Sequence, residues 1–375
     1  MVFVQEAGLL RRRGHDVVEY VEDNSRIDEI GRAAAAVRAV RSPGTRARLL
    51  ALIQRERPVI AHFHNIFPLI SPSAYTACSE AGVPVVQTLH NYRLLCAAAL
   101  FFRSGRPCED CMGRRVLWPG VLHGCYRQSR LETAGVTLMI QAHRAAGIWR
   151  SRVDLFVALS QFARKKFIEG GLPAKKILVK PNFVHPDPGP RRMEEDFALF
   201  VGRLSKEKGI GVLLDAWRRV PEIPLVICGD GPMRELVNRF ARSLPRGKIR
   251  FVQSLSRPHV FDAMRRARFL VFPSICYESF PMVVAEALAC GLPVLASGIG
   301  AAAEIVEDGK TGVHFAPGDP DALASAAGRL WSSPSEARES GARARAEFLA
   351  RYTAERAHAS LMEIYSRARE ESGQG

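Results

Sequence analysis

The chain alternates short runs of β-branched and aromatic residues with amphipathic stretches. It does this twice, on either side of a proline-dense break. Alternation of this kind specifies parallel sheets with crossover helices. In the first half Val17–Tyr20, Val59–Phe63, Val85–Leu89, Val153–Leu159 and Ile177–Val179 are expected strands, and 71–81 and 161–170 are expected helices. Pro181, Pro186, Pro188 and Pro190 then fall within ten residues, the composition of a linker. Beyond it Phe197–Val201, Leu225–Cys228, Ile249–Val252, Phe269–Phe272 and Pro293–Ala296 are expected strands. Helices are expected at 211–219, 233–244, 257–266 and 283–289, and from Asp321 to the end. The reading is an α/β chain with two doubly wound domains and a hinge near Pro181–Pro190.

Composition narrows the class. Apolar residues make up 47% and charged residues 24%, enough for two buried cores and against a disordered chain. The longest apolar run, Leu94 to Phe102, has nine residues, short of the ~18 that a membrane helix needs. The first residues lack a basic start followed by an apolar segment, so a cytoplasmic enzyme is expected. The net charge of +15 is unevenly placed. Residues 1–185 carry 27 Lys and Arg against 14 Asp and Glu, and residues 186–375 carry 26 against 24. A basic N-terminal half fits an anionic partner: a membrane surface or a phosphorylated substrate. Nucleic acid is excluded, because no reading module is present and aromatics do not interleave the basic clusters.

Three stretches carry chemistry. Gly202-Arg203-Leu204-Ser205-Lys206-Glu207-Lys208-Gly209 runs from a strand into a glycine turn, with two cations five residues apart, which suits a diphosphate. Gly229-Asp230-Gly231-Pro232 ends the next strand and allows close backbone approach. Pro273 to Ser297 places Glu278 on a loop and Glu286 eight residues on, in a helix whose first N–H groups are free to face a ligand. Spacing alone leaves these glutamates as either hydroxyl-binding groups or ordinary loop and capping acids.

Together, in this order, the stretches resemble the family 4 retaining glycosyltransferases, which have the GT-B fold. The Glu278-to-Glu286 spacing, the following Ala287 to Val294, and Glu304-Ile305-Val306 with Gly309 and Gly312 extend the match over about 180–320. The resemblance implies two Rossmann-like domains, 1–185 on the acceptor side and 186–353 binding a nucleotide sugar, with a crossover helix at 354–375. It implies that Arg203 and Lys208 stabilise the donor diphosphate. Glu286 would bind the ribose, and Glu278 the transferred sugar, assisted by the N–H groups of Met282 and Val283. Gly202, Gly231, Gln253 and Phe280 would complete the donor site. Pro281 stands where relatives often have glycine and removes one donor. His90, in Gln87-Thr88-Leu89-His90-Asn91-Tyr92, would lie near the donor sugar, with His64 lining the same cleft. The implied reaction retains configuration by front-face displacement without a metal. The implied acceptor is a cell-surface glycan or its lipid-linked precursor, reached peripherally on the inner membrane face. A non-catalytic scaffold derived from such an enzyme is the alternative.

Two features depart from the pattern. Cys108 and Cys111 have metal-ligand spacing, and Cys96 and Cys125 would complete four thiolates for structural zinc. The outer gaps of eleven and thirteen residues fit only loosely, so free thiols and no cofactor are expected. Relatives begin with a buried strand and a glycine-rich loop before the helix that ends in Arg-Gly-His. Here residues 2–10 lead directly to Arg13-Gly14-His15, so that strand is absent and a start upstream of Met1 is expected.

Overall fold

The structure is a computed structural model and describes residues 2–191, 195–245 and 247–373. The chain forms two compact units. Unit 1 comprises Met1–Phe101, Glu109–Lys180 and Ala357–Gly375, and unit 2 comprises Phe102–Cys108 and Pro181–Arg356.

Unit 1 is built on four parallel strands, β1 (Ala61–Phe63), β2 (Val85–Leu89), and, after a short antiparallel pair, β5 (Leu155–Ala158) and β6 (Ile177–Val179), in the order β1-β2-β5-β6. The short pair is β3 (Phe102–Arg103) with β4 (Arg106–Pro107), which falls in unit 2. β2 and β5 are buried along their whole length, as expected for strands covered on both faces. β1 lies at one edge of the sheet and is only half-buried. Helices pack around this sheet. Two of them, Pro43–Glu56 and Gln161–Glu169, start on serine caps, with Ser42 and Ser160 accepting from Thr45 N and Ala163 N.

Unit 2 has a six-stranded parallel sheet: β7 (Ala198–Val201), β8 (Leu225–Cys228), β9 (Ile249–Val252), β10 (Phe269–Phe272), β11 (Val294–Ser297) and β12 (Gly312–Phe315), in the order β12-β11-β10-β7-β8-β9. Its core gathers Phe200, Leu213, Trp217, Ile227, Phe240, Phe269 and Leu323. The fully buried Trp217 indole donates to Ile223 O at 3.1 Å, so its polar atom is satisfied inside the core. Asp319 caps the helix Pro320–Ser332 through Asp321 N and Ala322 N. The helices Pro334–Arg351 and Ala354–Glu371 complete the chain.

The expected strands 85–89, 177–179, 225–228, 249–252 and 269–272 form as read, and 59–63, 153–159, 197–201 and 293–296 form with shifted ends. Val17–Tyr20 does not form a strand. A strand exists only through a ladder partner, and here the Val17 carbonyl accepts from the Arg11 guanidinium at 3.0 Å instead of from a neighbouring backbone. No helix among the described residues is long and apolar enough to cross a membrane.

Candidate active site

The expected donor residues of unit 2 gather at the C-terminal ends of β7 to β10, where parallel sheets bind ligands. A cavity of ≈ 250 Å³ opens there, lined by Gly202, Arg203, Gly229, Asp230, Gln253, Ser254 and neighbours. Its floor is backbone. Gly229 has φ +156°, and a Cβ on it would stand 1.9 Å from Gly202 O. Gly202 N donates to Cys228 O and Gly229 N to Val252 O, which ties the three strand ends together. Asp230 accepts from Gly231 N at 2.8 Å and from Gln253 Nε2 at 3.2 Å. The Gln253 bond leads the effects that lower the Asp230 pKa. Arg203 is exposed at the cavity.

Lys208 stands on a 3₁₀ turn, Lys206–Lys208, closed by Gly209. Gly209 has φ +73°, and a Cβ would meet Pro273 O at 1.8 Å, so the turn requires glycine. This approach brings the β7 loop against the β10 loop. Ile275 N and Ser274 Oγ both donate to Glu207 O. Lys208 Nζ donates to Glu278 Oε1, which also accepts from Ser274 Oγ at 3.1 Å. Burial by itself would lower the Lys208 pKa, but the Glu278 carboxylate outweighs it and raises the value, so the ammonium stays charged.

Met282 and Val283 open the helix Met282–Ala289 behind Pro281, and their N–H groups precede the helical ladder. Glu286, one turn in, lies 3.2 Å from Arg257 Nη2. Burial raises its pKa, and the Arg257 charge opposes that without cancelling it. Phe280 is buried and packs edge-on to Tyr352 at 5.8 Å, so its ring is committed to packing. Arg257 and Ser274 carry no sequence signal of their own, because only the fold brings them to the two glutamates.

In unit 1, His90 follows β2 and His64 follows β1. His64 Nδ1 lies 2.7 Å from His90 Nε2, with the rings stacked at 5.0 Å. Burial keeps His90 neutral, with its pKa lowered to about 3. Cys96, Cys108, Cys111 and Cys125 are half-buried thiols, none of them in a disulfide. Among the described residues, the His, Cys, Asp and Glu side chains close enough to share an ion are Glu6, His62 and His64, not these cysteines.

Two Rossmann-like units, one of them carrying a glycine-floored cavity and a cation–carboxylate pair, define a GT-B glycosyltransferase fold. The family model "Glycosyl transferases group 1" matches residues 184–347, and "Glycosyltransferase Family 4" matches residues 2–188. The chain belongs to this glycosyltransferase family. One relative, alpha-maltose-1-phosphate synthase of Mycolicibacterium smegmatis, is 32% identical over 180 residues, 44% of this chain and 46% of that protein. The matched stretch thus spans less than half of that curated relative. Sucrose-phosphate synthase of Thermosynechococcus elongatus has a similar structure, with TM-score 0.67, 18% identity, and coverage of 98% of this chain and 92% of that one. Anabaena HepE in complex with UDP-glucose is similar at TM-score 0.61 and 18% identity, covering 86% and 81%.

Proposed function

We propose that this protein transfers a glycosyl group from a nucleoside-diphosphate sugar to a cell-surface glycan or its lipid-linked precursor, with retention of configuration. The observation that carries this reading is the Lys208–Glu278 contact, on the same loop that supplies Gly202 and Arg203 to the glycine-floored cavity. A cation for the leaving diphosphate and a carboxylate for sugar hydroxyls meet where the scissile bond would lie. The base and ribose occupy the cavity lined by Gly202, Gly229 and Gln253, and Gly231 N donates to Asp230 Oδ1 in its lining. Glu286 accepts from the ribose hydroxyls. Arg203 and Lys208 hold the diphosphate, and the N–H groups of Met282 and Val283, with Glu278, hold the sugar. By the family resemblance, His90 is assigned to the sugar as well.

No side chain here is assigned as a nucleophile. The acceptor hydroxyl attacks the anomeric carbon from the face the diphosphate leaves, and its proton passes to the departing phosphate oxygen. The two cations stabilise the charge growing on that oxygen, the main catalytic term. The likeness to HepE, which has been seen in complex with UDP-glucose, supports a nucleotide-sugar donor.

The acceptor is reached at an anionic membrane. In unit 1 the helix Arg130–Ala145 exposes Leu131 and Leu138 two turns apart on one face, and the neighbouring helix Trp118–Leu122 exposes both its ends. Arg114 stacks on Trp118 at 5.4 Å, and Arg115, Arg127 and Arg130 are exposed beside these apolar residues. Apolar side chains fringed by arginine suit the headgroup boundary of an acidic bilayer.

The test is a thermal-shift panel of UDP-, GDP-, ADP- and TDP-sugars on the native chain and Glu286→Ala. One nucleotide class should raise the midpoint, and Glu286→Ala should lose the shift. A cooperative melt that no donor moves would favour the non-catalytic reading.

A further inference from the structure

Glu6, His62 and His64 of unit 1 meet around an unsatisfied carboxylate oxygen. Glu6 lies in the helix Val2–Arg12. His62 and His64 stand two residues apart at the end of β1, the spacing that sends strand side chains to one face. The Glu6 side chain is 3% exposed, and its Oε1 is buried without a hydrogen-bond partner. His62 Nδ1 is 3.2 Å from that oxygen and His64 Nε2 is 3.4 Å from it. Both nitrogens are near, yet neither is aligned to donate. A buried polar atom in this state calls for an occupant.

The separations are those of metal ligands. A tetrahedral ion bound at about 2.0–2.2 Å holds its ligand atoms about 3.3–3.6 Å apart. Both distances from Oε1 are close to that, and all three ligand atoms lie within 4.8 Å of one another. The far atom of each ligand is already held. Glu6 Oε2 accepts from Lys180 Nζ at 2.8 Å, His62 Nε2 meets Thr88 Oγ1 at 2.7 Å, and His64 Nδ1 meets His90 Nε2 at 2.7 Å. Outer contacts of this kind orient the ligands of a metal site.

We infer that Glu6 Oε1, His62 Nδ1 and His64 Nε2 form a site for a divalent cation of the zinc class, which ties the helix Val2–Arg12 to β1. Two imidazoles and one carboxylate suit zinc or cobalt, whereas magnesium and calcium prefer oxygen alone. The Tyr365 hydroxyl, 2.8 Å from His62 Nδ1, gives up that contact when the ion binds and is an oxygen at hand for the fourth position. Lys180 keeps the other carboxylate oxygen. Its charge opposes the ion and weakens the site without blocking it. Every atom of the site belongs to unit 1, so the inference stands apart from the donor site proposed for unit 2.

The test is titration of the full, chelator-treated chain with Co²⁺, read by visible absorption and thermal shift. The expected result is one equivalent bound with the strong d–d bands of a low-coordinate ion, displaced by Zn²⁺, and a raised melting midpoint. A native melt that Co²⁺ does not move, with no d–d bands, overturns the inference. Glu6→Gln and His64→Asn, each with a cooperative melt, should weaken Co²⁺ binding by at least about tenfold, the loss that even an outer contact costs. Unchanged affinity in either folded variant overturns it. X-ray absorption of the Zn²⁺-loaded native chain needs no variant. It should show nitrogen and oxygen neighbours with imidazole scattering. A sulfur shell would assign the metal to the cysteines and overturn the site. Cys108→Ser combined with Cys111→Ser should bind Co²⁺ as the native chain does, and loss of binding there overturns it too.

Discussion

Lys208 donates directly to Glu278 across 70 residues of sequence, so the cation proposed for a diphosphate and the acid proposed for a sugar are partners of each other. A donor entering this site must reorganise a pair the protein has already neutralised. Lys208→Met and Glu278→Gln should each lower kcat by roughly 10²–10³. The double variant should lose far less than the product, because each change already removes the other's partner. A kinetic double-mutant cycle checks this, and strictly multiplicative losses would refute the coupling.

Glu286 should make donor binding acid-sensitive. Its folded-state pKa is raised by burial beyond what Arg257 offsets. As pH falls through that raised value the carboxylate takes up a proton and can no longer accept from two ribose hydroxyls, so affinity drops. The effect on stability has the opposite sign. A carboxylate with a raised folded pKa contributes most below its unfolded value, and the contribution is lost as pH rises through the folded one. Calorimetric titration of nucleotide across mildly acid to neutral pH, on the native chain and Glu286→Gln, should show the dependence in the native chain only.

Gly209→Ala should be far more destabilising than Gly14→Ala. Both have positive φ, a strain of about 1–3 kcal/mol for most other residues. A Cβ at Gly14 meets nothing within 4 Å, whereas at Gly209 it meets the Pro273 carbonyl at 1.8 Å. Urea unfolding should give Gly14→Ala only the strain, and Gly209→Ala should also lose nucleotide binding. Equal midpoints would show that the β10 loop yields freely.

Leu131→Glu together with Leu138→Glu should release the protein from vesicles rich in acidic lipid while leaving donor binding intact. Both leucines are strongly exposed, at 83% and 65%, so the fold should tolerate the change. Co-sedimentation should also weaken as salt rises, since the arginine share of the attraction is screened within a Debye length of about 10 Å at 0.1 M. Vesicle binding by the double variant equal to that of the native chain would rule the surface out.

The sequence was most legible where local pattern alone decides. Buried strands such as Val85–Leu89 and Phe269–Phe272 are short apolar runs between turn residues, and they form as read. β12 was missed because Gly312-Val313-His314-Phe315 opens on glycine, yet Gly312 is needed there: a Cβ would strike Val294 O at 2.0 Å. The helix Arg130–Ala145 was missed too, its stripe diluted by exposed leucines. Val17–Tyr20 has strand composition but no ladder partner, a property of neighbours rather than of the segment. In the candidate site, motif residues were legible because they sit at strand ends. Arg257 and Ser274 were not, because their contacts with Glu286 and Glu278 depend on how the fold brings separate segments together.

The cavity of unit 2 has a floor of main chain and a wall of side chains. Main chain reads every nucleoside diphosphate alike, and a side chain at Gly229 is blocked by Gly202 O, 1.9 Å from where its Cβ would stand. Any drift in donor preference is therefore confined to the wall, at Gln253, Ser254, Leu255 and Val260. A library restricted to those four positions would explore new donors while leaving the residues proposed to hold the diphosphate untouched.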